Sequence, residues 1–153
     1  RLGISKLSTV IMRDASKCRR HEEYQRVVWL TWPEKRIGPY ASFLSLTKTE
    51  RRSFEKGFEY WTKGLRNPKR HHGWTDREYC DCYVFKDPPH RLYGFLVRSP
   101  ISPRNNLCVI CEYAMKKGDH TDKAILNRLN RFREEKVLLD ALAKLDQREG
   151  EHK

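Results

Sequence analysis

The sequence predicts one α+β domain, in which a small antiparallel sheet of about four strands carries helices packed on one face. Short runs rich in β-branched and aromatic residues, bounded by proline or polar clusters, are typical of strands. Two longer stretches carry apolar residues at helical spacing. The resulting order is strand, helix, three strands, helix, and the short connections between the three consecutive strands predict a meander. The length of 153 residues fits one domain.

The N-terminal region precedes the first predicted strand. Residues 1–23 are weakly patterned and are expected to be an extension to the domain. Their apolar residues fit one face of a short helix: Leu2, Ile4, Leu7, Val10 and Ile11. Residues 24–32 predict a strand, because β-branched and aromatic types dominate and Pro33 follows. Gly38 and Pro39 then predict a loop.

The next segment predicts an amphipathic helix over residues 48–63. Thr47 and Glu50 form a capping-box pattern, and Gly64 suits the end of a helix. One face is apolar, with Phe54, Phe58, Trp61 and Leu65. The opposite face is basic, with Arg51, Arg52, Lys56 and Lys63.

Three candidate strands follow a basic loop over residues 63–73. They span 78–85, 91–98 and 107–115, with a turn at 86–89 between the first two. Residues 91–98 are apolar on both faces, as expected of a central strand. The strand before the helix over 48–63 is expected to pair with this meander.

The last helix is predicted over residues 122–146, with Thr121 as its cap. A straight helix of this length would be about 37 Å long, which exceeds the width of a small domain. Either it breaks near 134–136 or its second half docks on a partner. The predicted domain therefore covers 24–133, and 134–153 is a helical extension and tail.

The charge balance narrows the classes of partner. The formal net charge is +12 and is spread along the chain, which favours a folded basic surface. Nucleic acid, RNA before DNA, is the first choice of partner, and an acidic protein is the second. No apolar run approaches the roughly 18–20 residues of a membrane helix. Residues 1–20 lack a signal-peptide core, so a cytoplasmic location is expected.

The cysteines allow two interpretations. There are five, namely Cys18, Cys80, Cys82, Cys108 and Cys111. An odd number without a secretion signal points to reduced thiols. The last four could form a zinc site. Buried free thiols are favoured, because two strand residues three apart point to opposite faces. No metal and no other cofactor is expected.

Four pieces of the sequence together resemble the RelE superfamily of bacterial toxins, within it the phage-derived HigB-like branch. They are the helix and basic loop ending in His72-Gly73-Trp74, the strand Arg91-Leu92-Tyr93-Gly94-Phe95, the apolar strand ending in Lys116-Lys117, and the helix Thr121-x-x-x-Ile125-x-x-x-Leu129 with Arg128 and Arg131. The resemblance covers roughly residues 24–133. It departs from the family at Asp81 and Cys82, near the position where an arginine is expected.

The resemblance implies an endoribonuclease that cuts mRNA, in many members within the ribosomal A site, and that an antitoxin holds inactive. Its partners would be mRNA, the ribosome and an acidic antitoxin protein. The reaction would be attack of a ribose 2′-OH on the adjacent phosphate. It needs a base, cations and an acid, but no metal.

Several residues of the sequence could supply these groups. The candidate catalytic residues are Arg91, Lys116, Lys117 and His72. The candidate RNA-binding residues are Arg98, His120, Tyr93, Arg51, Arg52, Lys56, Lys69 and Arg70. Lysines at a strand end are placed to reach a substrate, and histidine titrates near neutral pH. Arg91 and Arg98 are seven residues apart on one strand, so only one of them is expected to face a groove.

Two other functions remain open at this stage. The basic surface could belong to a non-catalytic module that binds RNA, the ribosome or DNA. The chain could also be a regulatory protein that binds an acidic partner through its terminal helix. Individual residues have structural alternatives as well: Tyr93, Trp61 and Trp74 suit a core, and Lys116 and Lys117 suit a solvated strand end.

Overall fold

The computed structural model describes residues 11–14, 25–31, 38–98, 106–116, 121–136 and 138–141, with the backbone alone for 11–14 and 98. Within them the chain is an α+β protein, as the sequence predicts. The strands are β1 (Ile11–Asp14), β2 (Arg26–Thr31), β3 (His71–Gly73), β4 (Cys82–Asp87), β5 (His90–Arg98) and β6 (Asn106–Met115). The helices are α1 (Pro39–Leu44), α2 (Lys48–Thr62) and α3 (Lys123–Glu134).

The described strands form one mixed sheet of six, in the order β1-β2-β6-β5-β4-β3. The expectation of about four antiparallel strands was therefore wrong in number and in direction. Strands β2 and β6 run parallel, with Arg26 paired with Leu107, because the long connection between them returns the chain in the same direction. The other neighbouring strands are antiparallel.

The two additional strands lie at the edges of the sheet. Strand β1 pairs with β2, and Ile11 lies opposite Thr31, so Ile11 is not in the short helix that was expected. The other apolar residues of that expected helix, Leu2, Ile4, Leu7 and Val10, lie outside the described residues. Strand β3 forms within the basic segment that was predicted as a loop, since it pairs with β4. Both strands are short and lack an alternating apolar pattern.

Helices cover both faces of the sheet, which corrects the expectation of helices on one face. The α3 face is defined by the core residues Val28, Val84, Tyr93, Val109, Ile125 and Leu129. The α1–α2 face is defined by Trp29, Phe54, Phe58, Phe85, Leu92 and Ile110. The physical reason lies in β2, β5 and β6, whose nearly continuous apolar runs need burial on both sides.

Helix α2 confirms the prediction for residues 48–63. Its capping box is complete: the Glu50 amide donates to Thr47 Oγ1 at 3.2 Å, and the Thr47 amide donates to Glu50 Oε1 at 2.9 Å. Gly64 follows the helix with a φ of 74°, a conformation that favours glycine. The predicted apolar stripe ends at Trp61, because Leu65 is exposed.

Helix α1 was missed, because Gly38 and Pro39 predicted a loop. Pro39 occupies the first turn of the helix, where proline is tolerated because that amide needs no partner within the helix. Phe43 then packs on Trp29 with 5.0 Å between the ring centroids. This aromatic contact fixes a helix of only six residues on the sheet.

The hairpin of β4 and β5 differs from the prediction mainly at its start. Residues Arg77–Tyr79 form a 3₁₀ turn, so the strand predicted over 78–85 begins at Cys82 instead. Strands β5 and β6 start one residue earlier than predicted. Their pairing contains a bulge between Tyr93 and Gly94. At this bulge, a Cβ on Gly94 would lie 2.5 Å from the Val109 carbonyl oxygen.

Helix α3 begins one residue after the predicted start and ends well before the predicted residue 146. Its cap is Asp122 rather than Thr121, because the Asp122 side chain accepts from the Ala124 amide at 2.9 Å. The helix ends at Glu134 and Glu135 is extended, which agrees with the first of the two alternatives, a break near 134–136. Leu138 is then fully buried in the core of the α3 face. No helix in the described part of the chain is long and apolar enough to cross a membrane.

Candidate nucleic-acid interface

A row of side chains crosses four strands on the α3 face. His72 lies opposite Val84, Val84 opposite Tyr93, and Tyr93 opposite Glu112. Directly paired residues of antiparallel strands project to the same side, so His72 and Tyr93 share a face. The neighbouring row contains Lys86, Arg91 and Ala114.

A cluster of buried polar groups joins strand β5 to the start of α3. Arg91 Nη1 donates to Thr121 Oγ1 at 2.9 Å and to the Tyr93 hydroxyl at 3.3 Å. The Tyr93 and Thr121 hydroxyls are 3.1 Å apart. Tyr93 is fully buried and Arg91 is 5% exposed. These bonds fix the guanidinium and the phenol ring, and they place a positive charge just beneath the surface.

Two aromatic rings connect this cluster to the edge strand β3. Trp74 stacks on Tyr93 with 6.5 Å between centroids and 29° between planes. His72 meets Trp74 at 5.0 Å. His72 Nδ1 lies 2.9 Å from the Gly73 carbonyl. A carbonyl only accepts, so this contact places a hydrogen on Nδ1 and, in the neutral ring, leaves the lone pair on Nε2.

A salt bridge borders the row on the side of α3. Arg128 Nε and Nη2 donate to the two carboxylate oxygens of Glu112 at 2.7 and 2.9 Å. The pair is partly buried, and the Glu112 carboxylate raises the pKa of Arg128. This bidentate geometry fixes α3 against β6.

Two other predicted catalytic residues, Arg91 and Lys116, lie at one end of the sheet. Lys116 follows β6, and its amide donates to the Pro89 carbonyl at 2.8 Å, beside the β4–β5 turn. Arg91 is at the same end, because it pairs with Ala114. Lys117 and His120 lie outside the described residues, as does the side chain of Arg98. The structure therefore links His72 to Tyr93 and Arg91 through Trp74. Lys116 follows β6, which is three strands away from β3, and lies four residues beyond Glu112, the β6 residue in the row of His72.

The other predicted RNA-binding residues are on the opposite side of the sheet, with α2. Arg52 and Lys56 are exposed on that helix, and Lys69 is exposed in the loop that follows it. Arg51 donates to the Leu46 carbonyl at 2.6 Å, so it supports the end of α1. Arg70 donates to the Ser53 carbonyl and hydroxyl, each at 3.0 Å. These five residues do not join the cluster on the α3 face.

A second polar chain links α2 to the sheet on the α1–α2 side. His90 Nε2 is 2.6 Å from Glu50 Oε2, and His90 Nδ1 is 2.6 Å from the Tyr113 hydroxyl. Burial, followed by the Glu50 charge, raises the pKa of Tyr113. Since Glu50 also completes the capping box, this chain ties the first turn of α2 to the ends of β5 and β6.

The cysteines are dispersed. Cys108 packs on the α1–α2 face and Cys111 on the α3 face, which confirms that their side chains point to opposite sides. Cys82 is also buried, and burial raises its pKa to about 11. Cys80 is exposed, contrary to the expectation of buried thiols, and Cys18 is not among the described residues. Within the described ranges, no three potential metal ligands of the Cys, His, Asp and Glu types lie together.

Sequence reasoning missed two parts of the cluster. Thr121 was interpreted as a helix cap, but its hydroxyl contacts Arg91 and Tyr93. Trp74 was considered mainly as a core residue. The signal that could have placed it was the alternation along His72-Gly73-Trp74, which would put His72 and Trp74 on one side of an edge strand.

Searches with protein-family models, among curated proteins and among solved structures found no match to this chain.

Proposed function

We propose that this protein is a metal-independent endoribonuclease toxin of the RelE/HigB-like type, which acts on mRNA in the cytoplasm, at the ribosome. One observation carries the proposal: His72, Trp74, Tyr93 and Arg91 form a continuous cluster on the α3 face beside an edge strand. A titratable ring, an aromatic surface and a cation at one place are what metal-free RNA cleavage requires.

The proposed reaction is attack of a ribose 2′-oxygen on the adjacent phosphorus, with departure of the 5′-oxygen. His72 would exchange a proton through Nε2, either taking it from the 2′-hydroxyl or giving it to the leaving oxygen. Lys116, at the end of β6, would bind a phosphate further along the RNA than the one at His72. Arg91, which is buried beneath the surface, would stabilise the negative charge of the RNA electrostatically and through its hydrogen bond to the Tyr93 hydroxyl. Lys117, Arg98 and His120 are proposed to assist from adjacent segments.

Affinity would come mainly from charge. The net charge of +12 favours polyanions, and Arg52, Lys56 and Lys69 are exposed cations away from the cluster. They would hold a second stretch of RNA, such as ribosomal RNA, while the cluster holds the message. The same basic surface suits an acidic antitoxin protein, which the resemblance also implies.

The test is cleavage of an end-labelled single-stranded RNA by the purified full chain in EDTA. We expect a product that ends in a 2′,3′-cyclic phosphate. His72→Ala should lower the rate about 10²- to 10⁴-fold. Lys116→Ala should weaken RNA binding about tenfold and reduce its salt dependence. Lys48→Ala is the matched control, because Lys48 is an exposed lysine on the opposite side of the sheet. A second arm adds translating ribosomes. An RNA left intact in both arms would overturn the proposal, as would unchanged cleavage by the folded His72→Ala variant.

A second candidate is an RNA-binding module without catalysis. The burial of Arg91 favours it, because a guanidinium that is 5% exposed presents little surface to a phosphate. This candidate predicts salt-dependent RNA binding with no cleavage in either arm.

A further inference from the structure

Trp74 is a partly exposed ring of the aromatic cluster on the α3 face. The ring beneath it, Tyr93, is fully buried, whereas Trp74 is only partly buried. Part of Trp74 therefore remains accessible outside its contacts with Tyr93 and His72. In contrast, Trp29 and Trp61 are 2% and 5% exposed within the core of the α1–α2 face.

The surroundings hold this ring in a defined orientation. The Tyr93 hydroxyl contacts both Arg91 and Thr121, so the ring under Trp74 cannot turn freely. His72 packs against the indole at 5.0 Å with 59° between the planes. A rigid, flat surface beside an imidazole is thus present before any ligand arrives, which reduces the entropy lost on binding.

We propose that Trp74 is the base-stacking residue of this interface, and that the protein selects RNA in which one base is unpaired next to the nucleotide at His72. The proposal deepens the proposed function and rests on RNA being the substrate. Unpaired bases stack on exposed aromatic rings, and every base has a face that an indole can cover. Bases within a duplex are already stacked, so duplex RNA cannot use this surface.

The geometry also predicts what Trp74 contributes. Stacking on one aromatic ring, lost on substitution, weakens binding about 5- to 150-fold. Because the ring is adjacent to His72, a base on Trp74 would place its own ribose close to the imidazole. Trp74 would act in binding and in choice of strand, while proton transfer remains with His72.

The experiment uses tryptophan fluorescence of the full chain carrying Trp32→Phe, so that Trp29, Trp61 and Trp74 remain. The probe is a single-stranded oligonucleotide with 2′-O-methyl riboses, which cannot supply the attacking hydroxyl. We expect it to quench the emission. Adding Trp74→Phe should abolish the quenching, and Trp74→Ala, which removes the aromatic face, should weaken binding at least fivefold. Adding Trp61→Phe, which alters a buried ring, should leave the quenching in place. A duplex of the same sequence should bind without quenching.

Two results would overturn the stacking role: quenching that persists in the Trp74→Phe variant, or equal quenching by the duplex. If Trp74→Phe does not fold, iodide quenching of the Trp32→Phe protein gives the answer instead. The oligonucleotide should then reduce access of iodide to the emitting ring, and unchanged access would reject the proposal.

The two proposals fail in different ways. Quenching that depends on Trp74, without cleavage of ordinary RNA, would support stacking and reject the ribonuclease. Cleavage and binding that are unaffected by Trp74→Ala would support the ribonuclease and reject stacking.

Discussion

His71 and Tyr83, on the paired strands β3 and β4, are joined by a contact of 2.6 Å between Nδ1 and the hydroxyl. His71 Nε2 lies 3.0 Å from the Leu65 carbonyl. Because the carbonyl only accepts, Nε2 carries the hydrogen, and the Tyr83 hydroxyl donates to Nδ1 of the neutral ring. This pair ties the basic loop after α2 to the edge strand that carries His72.

The burial of His71 predicts loss of stability in acid. Burial, and then the charges of His72 and Lys86, lower its pKa below 6.5, while the Leu65 carbonyl opposes the shift. The unfolded chain therefore binds this proton at a higher pH than the folded chain does. The stabilisation is complete above pH 6.5 and decreases as the pH falls through the lowered pKa. In urea titrations across this range, His71→Gln should show a smaller loss of unfolding free energy than wild type. Parallel curves for the two proteins would contradict the prediction.

Gly94→Ala should destabilise the protein. The added Cβ would lie 2.5 Å from the Val109 carbonyl oxygen, a backbone atom that cannot move aside. We expect a loss of about 1–3 kcal/mol, as for an overpacked core, measured by chemical denaturation. Gly57→Ala is the control: its nearest contacts would be at 3.7 Å, and alanine favours a helix. That variant should be equal to or more stable than wild type, and the reverse ranking would be inconsistent with the bulge geometry.

Thr47→Ala should cost about 1 kcal/mol, because it removes the side chain that accepts from the Glu50 amide at 3.2 Å. Thr49→Ala changes an exposed threonine two residues away in the first turn and should be nearly neutral. The comparison is between the midpoints of thermal unfolding of the two variants. Equal midpoints for the two would mean that the cap does not contribute.

The Glu112–Arg128 pair should show strong coupling. A double-mutant cycle with Glu112→Gln and Arg128→Met should give more than about 1 kcal/mol, because two charge-assisted bonds form between side chains that are 22% and 24% exposed. The reference cycle is Glu59 with Lys63, which are 56% and 45% exposed. That exposed pair should give about 0.5 kcal/mol or less. Equal couplings would indicate that burial does not strengthen the first pair.

The features that the sequence predicted correctly depend on local chemistry. Thr47 and Glu50 cap a helix wherever it packs, and the apolar runs of β5 and β6 exceed what one buried face needs. What could not be predicted depends on tertiary pairing. His71 and His72 are polar, and only the partner strand β4 makes their segment a strand. Phe43 holds α1 because Trp29 lies beneath it, although the two residues are 14 positions apart in the sequence.

The candidate interface could likewise be predicted from the sequence only in part. Arg91 and Lys116 could be singled out by their positions at strand ends. Their surroundings could not, because the Thr121 hydroxyl that fixes Arg91 comes from a segment 30 residues away. The separation of Arg52 and Lys56 from the cluster follows from helices covering both faces, a feature that no single segment encodes.

The parallel pairing of β2 with β6 has a consequence for how the chain acquires its structure. Val28 meets Val109, so the middle of the sheet closes only when two distant parts of the polypeptide meet. Such long-range closure slows folding, because the entropy of the intervening loop is lost before any contact compensates for it. During synthesis, β2 has no inner neighbour until β6 has left the ribosome. A nascent chain stopped before Asn106 would therefore present the open side of β2 to chaperones or to other unfolded chains.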